Sequence, residues 1–191
     1  MPLSSNSYID YAAKLAKLLQ AWDWEQVTPL GQEFVRCWKE GHQVFLCGNG
    51  GSAGNAIHLA NDYLYGIAKK SGAGLRVHAL SANPAVITCL ANDIGYDEIY
   101  AEQLAVLANA GDLLVVLSGS GNSPNILRVL ERAKKMGVTS CAILGFTGGS
   151  AKELADISLH FEINDMQIAE DMQLIVGHML MQQLYAVRDK V

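Results

Sequence analysis

Five short apolar segments alternate with helical patterns along the chain after residue 40. The apolar segments are Gln43–Cys47, Arg76–Leu80, Leu113–Ser118, Ser140–Leu144 and Ile157–Phe161. Continuous apolar runs of this length predict strands that are buried on both faces, as in a parallel sheet. Helical patterns at 52–66, 84–92, 97–109 and 123–136 lie between them. Strands and helices in alternation form βαβ units, so the sequence predicts an α/β fold with helices on both faces of a parallel sheet.

The two ends of the chain are predicted to be helical. The first 40 residues contain no strand candidate, and residues 8–22 and 25–38 carry apolar side chains at the spacing of two amphipathic helices. Residues from about 167 to 188 form a helical pattern that is apolar around much of its circumference. Such a helix must be covered on most sides, which in a small domain favours burial between subunits. We therefore expect one domain over 1–191, with residues 1–40 as a helical extension packed in an oligomer.

Composition excludes several classes of protein. Half of the 191 residues are apolar and 17% are charged, which argues against intrinsic disorder. The formal net charge of −5 does not favour nucleic acid or anionic membranes as partners. No apolar stretch has the length of a membrane span, and the N-terminus lacks the features of a signal peptide. Four widely spaced cysteines (Cys37, Cys47, Cys89 and Cys141) are interpreted as buried thiols in a reducing compartment, so we expect a cytoplasmic protein.

Two predicted strands are followed by the same kind of turn. Residues 47–52 (CGNGGS) and residues 117–124 (LSGSGNSP) each lead into a helix. Small residues let backbone N–H groups converge on an anion, and the following helix N-terminus adds a favourable dipole. A Walker A loop would carry Lys where this chain has Ser52 or Asn122, and no ribose-binding acid follows in register with GxGxxG. The pair of loops therefore predicts a site for a phosphorylated small molecule rather than for a dinucleotide.

Two helices carry side chains suited to metal binding. His58 and Asp62 stand four residues apart on one face of a helix, and Glu170, Asp171 and His178 are candidates on the terminal helix. Two imidazoles and two carboxylates can hold zinc or a similar divalent ion. The remaining histidines and the tryptophans are interpreted as structural or exposed: His42, His78, His160, Trp22, Trp24 and Trp38.

Four segments carry a resemblance to a known family. They read CGNGGSAGNAIHLAND, LANDIGYDE, VVLSGSGNSPNIL and EDMQLIVGHM. The chain resembles proteins with the sugar isomerase (SIS) fold and, within them, the phosphoheptose isomerases, which convert sedoheptulose 7-phosphate to a heptose 7-phosphate. The resemblance implies a three-layer αβα sandwich around a five-stranded parallel sheet. It also implies a homotetramer with active sites between subunits and one zinc ion at each site.

The resemblance implies roles for individual residues. His58, Asp62, Glu170 and His178 match the family's four metal ligands, with the base expected at Asp62 and the acid at His178. Asp62 is one methylene shorter than the family's Glu, and Glu170 is charged where the family has Gln, so Glu170 is an alternative base. The family's substrate-binding positions correspond to Asn49, Gly50, Gly51, Ser52, Asn92, Asp93, Ser118, Gly119, Ser120 and Ser123.

The expected reaction is aldose–ketose interconversion through an enediol, in which a base removes a proton beside the carbonyl and an acid handles the proton between the oxygens. A divalent metal would stabilise the developing negative charge. Two alternatives remain open. Departures at Asp62, Glu170, Gly119 (a Thr in the family) and Gly66, where the family often has Arg one turn after its Glu, favour an isomerase of another phosphosugar. The other alternative is a non-catalytic adaptor, because one relative of this family binds the replication initiator. That relative lacks the acidic residue found here as Asp62 and the histidine found here as His178.

Overall fold

The computed structural model describes residues 5–69, 72 and 74–191. Within them, five parallel strands form one sheet in the order β2-β1-β3-β4-β5. The strands are β1 (Gln43–Gly48), β2 (Arg76–Ala79), β3 (Leu113–Ser118), β4 (Thr139–Leu144) and β5 (Ile157–His160). The α-helices are α1 (Ser5–Ala21), α2 (Thr28–Glu40), α3 (Gly51–Leu64), α4 (Pro84–Asp93), α5 (Ala101–Leu107), α6 (Pro124–Met136), α7 (Ala151–Leu154) and α8 (Met166–Val187). Short 3₁₀ turns lie at Trp24–Val27, Gly66–Ala68, Tyr96–Glu98 and Arg188–Lys190.

The sheet separates two apolar cores. Alternate strand residues face opposite sides because side chains alternate across a strand. On β1, Val44 and Leu46 join the core built with α1, α2, α3 and α8, whereas Phe45 and Cys47 join the core built with α4 to α7. Every residue of β3 is buried, as expected for a strand covered on both faces. The predicted three-layer α/β fold with a five-stranded parallel sheet is thereby confirmed.

Three details differ from the sequence predictions. The helix predicted over 97–109 is a 3₁₀ turn at Tyr96–Glu98 followed by α5, which ends where Ala108 adopts an extended backbone. The four-residue helix α7 was not predicted, since it is too short to show a period. Cys89 is exposed, so the prediction that all four thiols are buried is wrong for this residue, which lies on a helix that buries none of its residues.

The terminal helices pack largely within the chain. Helix α1 lays Tyr11, Leu15 and Leu18 against the core that also contains α8. Helix α8 buries eight of its own residues and leaves Met179 and Tyr185 exposed. Much of the cover that the sequence predicted from other subunits therefore comes from the same chain. Residues 1–4 of the predicted extension lie outside the described residues.

The strand order fixes where a ligand can enter. Strands β1 and β3 are neighbours, and the helices that follow them, α3 and α6, pack on opposite faces of the sheet. This divergence opens a crevice at the carboxyl ends of the two strands, where doubly wound folds bind ligands. In the described part of the chain, no helix has both the length and the apolarity that a membrane crossing requires.

Candidate active site

The turn after β1, called here the glycine loop, consists of residues 48–51. A Cβ added at Gly48 would lie 2.8 Å from the carbonyl oxygen of Leu117 on β3, so only glycine permits this approach of the two strand ends. Gly50 caps α3 with a φ of 57°, a conformation that glycine adopts without strain. The first turn of α3 therefore opens directly into the crevice.

The turn after β3, called here the serine loop, consists of residues 118–123. Gly121 has a φ of 65°, and a Cβ there would lie 1.9 Å from the carbonyl oxygen of Gly148. The Ser118 hydroxyl accepts a hydrogen bond from the Gly121 N–H at 3.0 Å, which folds the loop back on itself. Ser123 is the N-cap residue of α6, and its side chain makes no capping hydrogen bond. The loop thus combines a fixed backbone, a helix N-terminus and an uncommitted hydroxyl, the elements of an anion site.

The two loops are joined by a pair of side chains, of which the sequence predicts only Asn49 as a site residue. The carboxamides of Asn49 and Asn125 exchange two hydrogen bonds, at 2.9 and 2.8 Å. The Tyr96 hydroxyl also donates to Oδ1 of Asn49, at 3.1 Å. Asn125 is the second residue of α6 and stands inside a motif already noted, but no local pattern reveals a partner 76 residues away.

A cluster of three side chains from two helices, His58, Asp62 and His178, has the arrangement of a metal site. The Nε2 atoms of His58 and His178 are 2.9 Å apart. Oδ2 of Asp62 lies 3.5 Å from Nε2 of His58 and 3.6 Å from Nε2 of His178. About half of each imidazole side chain is exposed, 50% for His58 and 48% for His178, so the cluster is open to a ligand.

The close contact between α3 and α8 depends on Gly177. A Cβ at this position would lie 2.3 Å from Cδ2 of Leu59, well inside contact distance. The Tyr63 hydroxyl donates a hydrogen bond to the carbonyl oxygen of Gly177 at 3.0 Å. His178 directly follows this contact in the chain, so the packing of the two helices determines the separation of the two imidazoles.

Glu170 lies outside this cluster. Eight residues separate it from His178, which corresponds to about 12 Å of rise along a helix. Its carboxylate lies against the first turn of α3, where a Cβ added at Gly51 would be 2.4 Å from Oε2. The structure therefore brings together three of the four predicted ligands, and the role of Glu170 as a ligand or base stays a prediction. Its position places it beside the glycine loop.

Polar contacts hold this part of α8 in place. The buried Gln173 donates to the Ser52 hydroxyl at 3.0 Å, and Asn55 donates both to Gln173 Oε1 and to the carbonyl oxygen of Glu170, each at 3.0 Å. The Tyr11 hydroxyl donates to Asp171, and this bond raises the pKa of Tyr11 to about 12. Ser52 and Asp171 are candidates for binding by sequence, whereas in the structure both make contacts between helices.

The remaining predicted positions lie at the end of α4 and in the serine loop. The Asn92 amide donates to Asp93 at 2.8 Å, and both residues are exposed at the end of α4. The Ser120 hydroxyl accepts from the Asn122 N–H at 3.3 Å. A Cβ at Gly119 would lie 2.6 Å from the sulfur of Met166, so the thioether fills the space that a larger residue would need.

The other histidines have structural partners, as predicted. His42 lies 3.4 Å from Asp112, His78 hydrogen-bonds to Gln43, and His160 bonds to a backbone carbonyl. Trp22 packs on Phe161 with ring centroids 4.4 Å apart, and Trp24 lies beside it. These side chains support the fold away from the cluster.

Comparison with known proteins identifies relatives along nearly the whole chain. The SIS domain family matches residues 7–145. A phosphoheptose isomerase of Aliarcobacter butzleri is 34% identical over 175 residues, which cover 92% of each sequence. One from Akkermansia muciniphila is 36% identical over 160 residues, covering 84% of this chain and 82% of the relative. The solved structure of a phosphoheptose isomerase from Francisella tularensis superposes with a TM-score of 0.86 at 26% identity, covering 94% of this chain and 95% of that one.

Proposed function

Because the chain belongs to the SIS-domain family and, within it, to the phosphoheptose isomerases, we propose that it interconverts sedoheptulose 7-phosphate and D-glycero-D-manno-heptose 7-phosphate. The observation that carries the proposal is the cluster of His58, Asp62 and His178, two of which lie on α3, the helix that follows the glycine loop. The predictions of an isomerase and of its family agree with the curated relatives.

The serine loop is proposed to hold the phosphate. Ser118, Ser120 and Ser123, together with the N-terminus of α6, supply hydroxyl and N–H donors at one end of the crevice. Phosphate binding at a distance from the reacting carbons orients the sugar and so lowers the entropic part of the barrier. Asn49, Gly50, Gly51, Asn92 and Asp93 are proposed to contact the rest of the sugar.

The cofactor is proposed to be one zinc ion, held by His58, Asp62 and His178. A tetrahedral zinc lies roughly 2.0–2.1 Å from its nitrogen and oxygen ligands, which places those ligand atoms about 3.3 Å apart. The three separations here, 2.9, 3.5 and 3.6 Å, bracket that value. Three protein ligands leave a position open, as catalytic zinc sites require. Such an ion supplies Lewis acidity that stabilises negative charge on the sugar oxygens.

The proton transfers are proposed to use the same helices. Asp62, or Glu170 beside the glycine loop, removes the proton from the carbon next to the carbonyl. His178 would act as the acid that handles the proton between the two oxygens, with its proton on Nδ1 because Nε2 faces the ion, so an enediol links ketose and aldose. The position of Glu170 supports its candidacy, since its carboxylate lies against the first turn of α3, beside the glycine loop.

The proposal includes a cytoplasmic homotetramer with active sites between subunits. Four free cysteines support a reducing compartment. Four large apolar side chains within three residues of the cluster in sequence are exposed, and burial against another subunit would remove them from water together with the cluster. They are Ile57, Leu64, Tyr65 and Met179.

The test is conversion of sedoheptulose 7-phosphate by the zinc-loaded protein, followed by NMR at C1 and C2 of the sugar. We expect the aldose to appear with the wild type, and to be lost with Asp62→Ala and His178→Ala. His78→Ala is the matched control, because this imidazole lies on β2 and bonds to Gln43 outside the cluster. Absence of conversion with zinc bound would point to another phosphosugar, and absence of both conversion and zinc would favour the adaptor.

A further inference from the structure

We propose that Asn125 is a positioning residue of the reaction, which acts by holding the Asn49 carboxamide in one orientation across the crevice. The inference rests on the proposed isomerase function, and it concerns a side chain that does not itself touch the sugar. Asn125 is 1% exposed, so its contact with a ligand is blocked by its own surroundings. Its influence has to pass through Asn49.

The contact joins the two halves of the site. Asn49 directly follows β1 in the glycine loop, whereas Asn125 lies in the first turn of α6 behind the serine loop. Nδ2 of Asn49 donates to Oδ1 of Asn125 at 2.9 Å, and Nδ2 of Asn125 donates to Oδ1 of Asn49 at 2.8 Å. A reciprocal amide pair of this kind fixes both the separation and the relative rotation of the loops that carry it.

The hydrogen bonds of the Asn49 carboxamide determine which of its groups can still bind a ligand. Its Oδ1 accepts from Asn125 and from the Tyr96 hydroxyl, which uses both lone pairs. Of its two amide hydrogens, one is donated to Asn125. Among the described residues no side chain takes the other hydrogen, so Asn49 presents a donor and no acceptor. It is therefore set to bind an oxygen of the sugar with a free lone pair.

This orientation matters because the substrate spans both loops. The phosphate is gripped by the serine loop, and the reacting carbons lie toward α3 and α8, so the spacing of the loops determines where the carbons sit. A misplacement of about 1 Å can cost about 100-fold in rate. Loss of Asn125 would leave phosphate binding intact, but the Asn49 carboxamide would no longer be held in one orientation toward the sugar.

The experiment is a double-mutant cycle on kcat/KM for sedoheptulose 7-phosphate, using Asn125→Leu, Asn49→Ala and the double variant. We expect Asn125→Leu to lower kcat/KM by about 10–100-fold. The inhibition constant of inorganic phosphate should change by less than about 3-fold, since the serine loop and the N-terminus of α6 keep their donors. In the Asn49→Ala background, Asn125→Leu should cost no more than about 2-fold, because a residue that acts only through its partner shows full coupling.

A second variant separates the loss of positioning from a loss of folding in Asn125→Leu. Asn125→Asp keeps the buried volume and one of the two hydrogen bonds, and should lower kcat/KM in the same direction. Its matched control is Asn83→Asp, because the Asn83 carboxamide only accepts, from the N–H groups of Ala85 and Val86, and a carboxylate does this equally well. Additive effects in the cycle, or unchanged kcat/KM in both Asn125 variants, would overturn the inference alone. An inactive wild type would refute the proposed function and this inference with it.

Discussion

Replacing Gly177 by alanine should both destabilise the protein and weaken its metal site. Gly177 lies where α8 crosses α3, and an added Cβ would sit 2.3, 2.6 and 3.0 Å from three carbons of Leu59. Carbon atoms in contact normally lie about 3.5–4.0 Å apart, so either Leu59 or the helix must shift by about 1 Å. Leu59 is 1% exposed and packed in the core, which leaves its side chain little room to turn.

Two opposing contributions determine the expected change in the free energy of unfolding. Overpacking of a core costs about 1–3 kcal/mol, and an overlap with three atoms belongs at the upper end. Alanine gains about 1 kcal/mol over glycine in a helix interior. The net loss in the free energy of unfolding is therefore about 2 kcal/mol. Gly54→Ala on α3 is the matched control, because no atom lies within 4 Å of its added Cβ, and it should stabilise by up to about 1 kcal/mol.

Two measurements check this prediction. Chemical unfolding gives the free energies of both variants, and calorimetric titration with zinc gives the affinity of the native protein. Displacing α8 moves His178 away from His58, so we expect zinc affinity to fall by about 10–100-fold in Gly177→Ala, as when groups that orient ligands are lost. A Gly177→Ala protein as stable as Gly54→Ala, with wild-type zinc affinity, would refute the claim that this close packing builds the site.

Three further outcomes are expected. Gly121→Ala should lose more than about 1–2 kcal/mol of stability, because the residue has a left-handed backbone and the added Cβ clashes with Gly148. The same variant should be inhibited less by inorganic phosphate. Unchanged inhibition would count against the serine loop as the phosphate site. Lys14 lowers the pKa of Asp165, so Lys14→Met should reduce the melting temperature at neutral pH. The difference in melting temperature between wild type and variant should vanish as the pH falls through the lowered pKa of Asp165, because the carboxyl is then neutral. A difference that stays constant with pH would contradict a role for this ion pair. A thiol reagent should modify Cys89 in the native protein and the three buried cysteines only after unfolding, as mass spectrometry of labelled peptides would show.

Much of the fold follows from local patterns. The prediction of a strand at Gln43–Cys47 matches β1 at Gln43–Gly48, because a continuous apolar run ending in glycine has few alternatives. The terminal helix predicted over about 167–188 matches α8 at Met166–Val187. The four-residue α7 escaped prediction, since a single turn has no period to detect.

The site was predictable only in part. Spacing placed His58 and Asp62 on one helix face, and they do lie together. Spacing could not show that His178 joins them, because this depends on how closely α8 approaches α3; the family resemblance supplied that residue. The resemblance also placed Glu170 with His178, but the rise along the helix axis separates the two. The pair of Asn49 and Asn125 is a contact between distant segments, with no signature in either segment alone.

The most direct test of the central claim is reconstitution of the metal-free protein with zinc. We expect chelation to abolish conversion of sedoheptulose 7-phosphate and activity to return linearly with added zinc, reaching its plateau at one zinc per chain. His58→Ala should fail to regain activity at the same zinc concentration, because it removes one of three ligands. Full activity in the thoroughly stripped protein, or undiminished recovery in His58→Ala, would contradict the assignment of this cluster as the metal site on which the isomerisation depends.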